Sequence, residues 1–274
     1  MKPLLALLSL TYVLVAADPP KGEPTNAKEA AAQVAAKKAT QDKVVDEKYQ
    51  VWAATLSPEA QAWEKVLQSQ LGNFYLPLHK RDKVAGKSNA WDFVQDDPKL
   101  PRVLLIGDSV SRGYTQPTRV TLAGKANVHR APANCGPTAS GLKNLEVWLG
   151  AGKWDVIHFN FGIHDRATPA ADYVKRLEEI VIRLEKTGAK LIWASTTPIP
   201  DNPAQKQTAA SIVEKNALAA EVMTKHGIPT DDLFGAMTPR LKEFQPPLDV
   251  HYTAAGYDFL GAKVGESVLA VLAR

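Results

Sequence analysis

A chain of 274 residues with a single cysteine cannot close an intrachain disulfide, so packing alone must hold it together. That thiol, Cys135, reads as a small packed residue in a loop rather than a nucleophile. Long apolar runs are also missing. The one run near the N-terminus, Leu4 to Ala17, is short for a bilayer crossing, and nothing later approaches a span. Lys2 precedes this run and Val15-Ala16-Ala17 closes it with small residues. Residues 1–17 are therefore expected to be a signal peptide cleaved before Asp18, placing the mature protein in the periplasm or outside the cell. No cysteine follows the run, which disfavours a lipoprotein. The chain also lacks a strong charge of one sign: the net charge is +4, and losing Lys2 with residues 1–17 leaves 4 − 1 = +3. Nucleic-acid binding would call for a concentrated basic face, and none is expected here. Repeats at solenoid periods are absent. So are the compact ligand spacings of known metal sites, and no cofactor is expected.

What is present is 45% hydrophobic residues, enough for one substantial core. Residues 18–72 read as a disordered Pro/Gly/Lys/Glu lead (Asp18–Asn26), then a helical arm rich in Ala, Lys, Gln and Glu over 27–56. A second helix opens at Ser57-Pro58, carries Ala60, Trp63, Leu67 and Leu71 at helical spacing, and stops at Gly72. Residues 73–101 read as an irregular segment punctuated by Pro77, Gly86 and Pro98, whose aromatic residues lie against the body. From Arg102 the pattern alternates. Val103–Ile106 is a buried strand, Ala126–Arg130 a weaker one, and Trp154–Phe161, Lys190–Ser195 and Ile228–Leu233 are further strands. Helices are expected around Leu142–Leu149, over Pro169–Lys186 and Ala209–His226, and from Ala254 to about Leu272. This order predicts a parallel sheet covered on both faces, a three-layer α/β/α arrangement.

Ligands of such sheets sit beyond the carboxyl ends of the strands. Gly107-Asp108-Ser109 follows the strongest strand, on a turn that exposes the serine. A serine hydroxyl needs a base to act as a nucleophile. His251, with Asp249 two residues earlier and Thr253 as a helix cap just after, is the candidate.

Gly107-Asp108-Ser109 resembles the first block of the SGNH (GDSL-type) hydrolases, and Asp249-Val250-His251 resembles their last. Asn134-Cys135-Gly136 is similar to the second block and Phe161-Gly162-Ile163-His164-Asp165 to the third. The resemblance spans about residues 102–274, within a domain read as 73–274. It implies a flavodoxin-like α/β/α hydrolase with no metal. Ser109 would be the nucleophile and His251 its base, oriented by Asp249, and the backbone N–H groups of Ser109 and Gly136 would form the oxyanion hole.

Two departures from the family pattern stand out. The third block usually reads Gly-x-Asn-Asp, and His164 occupies the Asn position. His164 can serve as the third oxyanion donor or be structural, and Asn160 is a second choice. The usual acid position, three before the histidine, holds Leu248. Asp249 is the expected triad acid, the alternative being a backbone carbonyl. The resemblance to exported members that act on acylated polysaccharides implies a small acyl ester or an acetylated polysaccharide as substrate. Trp91, Trp148 and Tyr252 are candidate sugar platforms, although Trp148, at helical spacing with Leu145 and Leu149, more often belongs to a core. Two rival readings are a non-catalytic exported carbohydrate-binding protein, and a metal-dependent phosphate or sulfate ester hydrolase built on His158, His164, Asp165, Asp249 and His251. The oligomeric state is left open.

Overall fold

The computed structural model describes residues 23–205 and 207–274. The expected signal peptide lies outside the described residues. The chain divides into two compact units at Glu47/Lys48. The described residues of the first unit belong to one long helix, α1 (Glu23–Ala54), so the end of the expected disordered lead is helical. Ala, Lys, Gln and Glu dominate it, each losing little side-chain freedom in a helix.

The second unit begins with the end of α1, then α2 (Pro58–Gln70) and α3 (Gly72–Val84). Ser57 caps α2 by accepting from the Ala60 amide, and Pro58 fills its first position, as expected. Helix α3 corrects the irregular reading of 73–84. Pro77 sits inside it, where the ring removes one backbone donor without ending the helix. Buried His79 of α3 bonds Glu64 of α2 at 2.8 Å, and Tyr49 donates to the same carboxylate at 2.6 Å. Those buried contacts hold the segment helical. Leu67, Leu71 and Trp91 form a small core beneath it.

Five parallel strands follow: β1 (Arg102–Ile106), β2 (Asn127–Arg130), β3 (Val156–Phe159), β4 (Lys190–Ala194) and the two-residue β5 (Thr230–Asp231). They lie in the order β2-β1-β3-β4-β5. The helices between them are α4 (Ser109–Thr121), α5 (Thr138–Leu149), α6 (Ala170–Glu185) and α7 (Ala209–His226). After β5 come two short helices, α8 (Leu233–Met237) and α9 (Leu241–Phe244), in the stretch after the last expected strand. The closing helix is α10 (Ala254–Leu272), capped by Thr253 through the Gly256 amide.

Alternation along the buried strands splits the core in two. Val103, Leu105 and Val128 pack with Leu122, Leu260, Val264 and Val268 on one face. Leu104, Ile106, Ile157 and Phe159 pack with Leu145, Leu177, Ile180 and Met223 on the other. Burying the side of a Leu or Ile is worth about 1.5–3 kcal/mol each, which is how the fold stands without a disulfide. Helices α4 and α10 approach closely because Gly261 presents no side chain. A Cβ there would fall 2.3 Å from Pro117 Cβ, part of a rigid ring, and 2.8 Å from the Pro117 carbonyl carbon and the Thr118 amide nitrogen, which are backbone and cannot yield. Gly261→Ala is expected to cost about 1–3 kcal/mol by overpacking, despite alanine's better helix propensity. Urea denaturation of the variant checks this, and an unchanged or higher midpoint would contradict it.

Candidate active site

Strand β1 ends at Ile106, and Gly107-Asp108 turns the chain into α4. Gly107 is required by closeness: a Cβ there would meet the Ser111 side chain at 2.7 Å. Asp108 caps α4, its carboxylate accepting from the Val110 amide at 2.9 Å. Ser109 is thereby the first residue of α4, where unpaired N–H groups and the helix dipole favour negative charge.

The turn is held from beneath by Arg130, at the carboxyl end of β2. Its guanidinium donates to the carbonyls of Gly107 at 3.0 Å and Asp108 at 2.9 Å, and to the Ser111 hydroxyl. Arg130 is 1% exposed, and burial lowers its pKa from the ordinary arginine value. Sequence reasoning missed this residue. Its signal was position: a basic residue at the end of a buried strand, just ahead of the Asn134-Cys135-Gly136 loop. That loop is tied to the same point, since the Cys135 amide donates to the Gly107 carbonyl at 3.2 Å. Gly136 then adopts φ +67°, a left-handed conformation open to glycine at no steric cost.

Asp165 anchors the loop from the far side. Fully buried, it accepts from the Thr138 amide at 2.7 Å, the Thr138 hydroxyl at 2.8 Å and the Thr168 hydroxyl at 3.1 Å. The preceding residue, His164, is exposed on a single 3-10 turn (Ile163–Asp165). Asn160 gives both amide hydrogens to β4 and beyond, to the Ala194 carbonyl at 2.8 Å and the Thr196 hydroxyl at 2.9 Å. No N–H of that side chain is left for an oxyanion, so Asn160 is corrected to a brace between strands.

The loop before α10 carries His251. Its Nε2 lies 2.8 Å from Ser109 Oγ, and its Nδ1 lies 2.7 Å from Asp249 Oδ1. The same Asp249 oxygen accepts from the His251 backbone amide at 3.0 Å, an Asx-turn. That backbone bond is the largest cause holding the Asp249 carboxyl below its ordinary value; desolvation opposes it, and the His251 ring lowers it further. The departure in spacing has a backbone cause. Leu248, at the usual acid position, adopts φ +60° and is 61% exposed. Such a conformation costs a branched residue of order 1–3 kcal/mol and persists where surrounding structure imposes it.

Other expectations are corrected. Trp91 and Tyr252 are 2% and 5% exposed, so they are core residues and offer no sugar platform, and Trp148, at 4%, is the core residue its helical spacing suggested. The five residues of the metal reading are spread apart in their bonding. His158 is buried against Asp231 at 3.0 Å, Asp165 serves Thr138, and Asp249 serves His251. Among the described residues no group of three or more His, Cys, Asp or Glu is placed to hold a metal.

Against known proteins, residues 105–259 match the GDSL-like lipase/acylhydrolase family. The chain belongs to that family and is a carboxylic ester hydrolase. A lipase/acylhydrolase from Enterococcus faecalis superposes with a TM-score of 0.56 at 25% identity, over 62% of this chain and 96% of the other. The acetyl xylan esterase AlAXEase gives 0.54 at 15% identity over 61% and 99%. An acetylxylan esterase from Geobacillus stearothermophilus gives 0.53 at 15% identity over 61% and 94%. No curated protein matches the sequence.

Two predictions follow from this geometry. Asp165→Ala leaves the buried Thr138 amide without its acceptor and is expected to cost about 1–3 kcal/mol in a denaturant titration; no change would contradict the anchoring role. Burial pushes the Cys135 thiol up to about 12, so in native protein at pH 8 it should stay silent to a thiol reagent and react only after denaturation. Rapid reaction of the folded protein would contradict that environment.

Proposed function

We propose that the protein is an exported serine esterase that removes O-acetyl groups from a carbohydrate. The observation that carries this reading is the continuous chain from Ser109 through His251 to Asp249, at 2.8 and 2.7 Å. In the proposed mechanism, Ser109 Oγ attacks the ester carbonyl while His251 Nε2 takes its proton. The imidazolium that forms is stabilised by the Asp249 carboxylate, which keeps the Nδ1 proton in place. The tetrahedral oxyanion is met by the backbone N–H groups of Ser109 and Gly136, with His164 as third donor. One such donor is worth about 3–4 kcal/mol in comparable sites. His251 then protonates the departing sugar oxygen, leaving an acetyl ester on Ser109. Water, deprotonated by His251, attacks that ester and releases acetate.

Support for acetyl on sugar comes from the fold neighbours, two of which carry the name acetyl xylan esterase, together with the expected export. Residues 1–17 are the proposed signal peptide, and among the described residues no helix is long and apolar enough to cross a membrane. Residues 18–72 are the proposed lead and arm and 73–274 the proposed catalytic domain, with 48–72 joined to it in one compact unit.

The test is hydrolysis of p-nitrophenyl acetate and release of acetate from acetylated xylan. Ser109→Ala should lower kcat by about 10³-fold or more. Asp249→Ala should lower it by about 10²–10⁴-fold with KM little changed. Because the Asp249 carboxyl lies below its usual range, that residue should add no break to the pH–rate profile above about pH 4. Wild-type activity in Ser109→Ala would overturn the reading. Activity on long-chain esters without acetate release from xylan would overturn the substrate assignment alone.

A further inference from the structure

Arg112 lies one helical turn after Ser109 on α4 and takes no part in the proposed chemistry. Residues three apart on a helix are surface neighbours, with Cβ atoms about 5–6 Å apart. Long side chains there lean back toward the helix N-terminus, which carries Arg112 over the turn that holds Ser109. Tyr257 of α10 fixes the flank. Its ring packs on Gly113, where a Cβ would overlap it. Burial pushes the Tyr257 phenol up to about 12, and Arg112, Asp108 and Asp249 all lie close enough to act on it. Arg112 is thus on the side of α4 that faces the histidine loop.

The guanidinium is held without being matched. The Tyr75 ring of α3 lies 5.5 Å from it, ring centroid to carbon. Its Nε is buried without an acceptor. The two terminal nitrogens reach solvent, and among the described residues they meet no hydrogen-bond acceptor and no carboxylate within ion-pair distance. Contact with a ring fixes the plane of the fork while leaving its outer N–H groups free. Next to Tyr75, Phe74 stands 70% exposed, the two rings edge to face at 4.8 Å. Buried Trp91 lies 5.4 Å from the Tyr75 ring and backs the pair. Phe74 and Tyr75 fall outside residues 105–259, so this wall is an addition to the stretch that matches the family.

We infer that Phe74, Tyr75 and Arg112 form the subsite for the carbohydrate part of the substrate, so that α3 contributes to specificity. The C–H face of a sugar ring would lie on Phe74, and the terminal N–H groups of Arg112 would donate to its free hydroxyls. A mostly aromatic surface with a few fixed donors suits such a ligand, and a guanidinium presents its donors as a rigid fork to neighbouring oxygens. The inference rests on the carbohydrate reading above and gives it named residues.

Xylotetraose, a sugar chain without an ester, is the probe, measured by titration calorimetry on the full chain. One xylotetraose per chain is expected, and Phe74→Ala and Arg112→Gln should each weaken it about tenfold, the size of one lost contact. With acetylated xylo-oligosaccharides as substrate, each variant should raise KM about tenfold with kcat little changed. Its loss in kcat/KM should be at least about fivefold smaller on p-nitrophenyl acetate, which carries the same acyl group and no sugar. A merely structural role would lower both activities alike. Circular dichroism and melting temperature check that each variant is folded, and Phe74→Ala, at an exposed position, keeps the test open if Arg112→Gln is not. No saturable binding of xylotetraose, unchanged affinity in the folded variants, or equal losses on the two esters would each overturn the inference. Calorimetry needs no turnover, so sugar binding can fail while Ser109-dependent hydrolysis stands, and hydrolysis can fail while binding stands.

Discussion

The carbonyl of Gly107 is the point on which the arrangement depends. It accepts from Arg130 of β2 and from the Cys135 amide of the loop that carries Gly136. One backbone oxygen thus ties the serine turn, the neighbouring strand end and the second loop into a single piece. Hydrogen bonds from a charged donor are worth about 1.5–3 kcal/mol each, more than neutral ones. That extra strength suits a turn that must hold Ser109 at a fixed place while its proton moves. Arg130 performs this at the cost of its own solvation. Its burial is offset by the carbonyls it meets, and Trp91 lies 5.8 Å from the guanidinium, ring centroid to carbon.

The histidine loop is organised by a different constraint. With Leu248 in the left-handed region, the chain reverses so that the next carboxylate can reach the His251 amide and ring together. A residue spacing that departs from the family pattern is reconciled by one unusual backbone angle. Because Asp249 is nearly half exposed, at 47%, water screens its interaction with His251. Its service is chiefly to set the ring's orientation rather than to add stability.

The alternating strands and helices were legible because buried parallel strands read as continuous apolar runs, and four short blocks fall at their ends. Ser109, Gly136, Asp249 and His251 stood out since their chemistry needs those residue types at those places. The third helix was not legible: Pro77 reads as a breaker, and the buried bond between His79 and Glu64 that holds the segment is non-local. Trp91 and Tyr252 were misread because aromatic type alone does not tell a core ring from a binding platform, whereas the helical spacing of Trp148 with Leu145 and Leu149 pointed to the core it occupies. Asn160 looked like a spare donor until its two acceptors were placed. Arg130 escaped notice since no motif includes it, and its partners are backbone atoms, which the sequence does not display.

The most direct test of the central claim is to trap the covalent intermediate. Protein mixed with p-nitrophenyl acetate is quenched in acid during the first turnover, digested and examined by mass spectrometry. An acetyl group on the peptide containing Ser109, formed with a burst of p-nitrophenol and lost as turnover completes, is the predicted result. Turnover with no acetylated peptide, or with the acetyl group on another residue, would contradict the account.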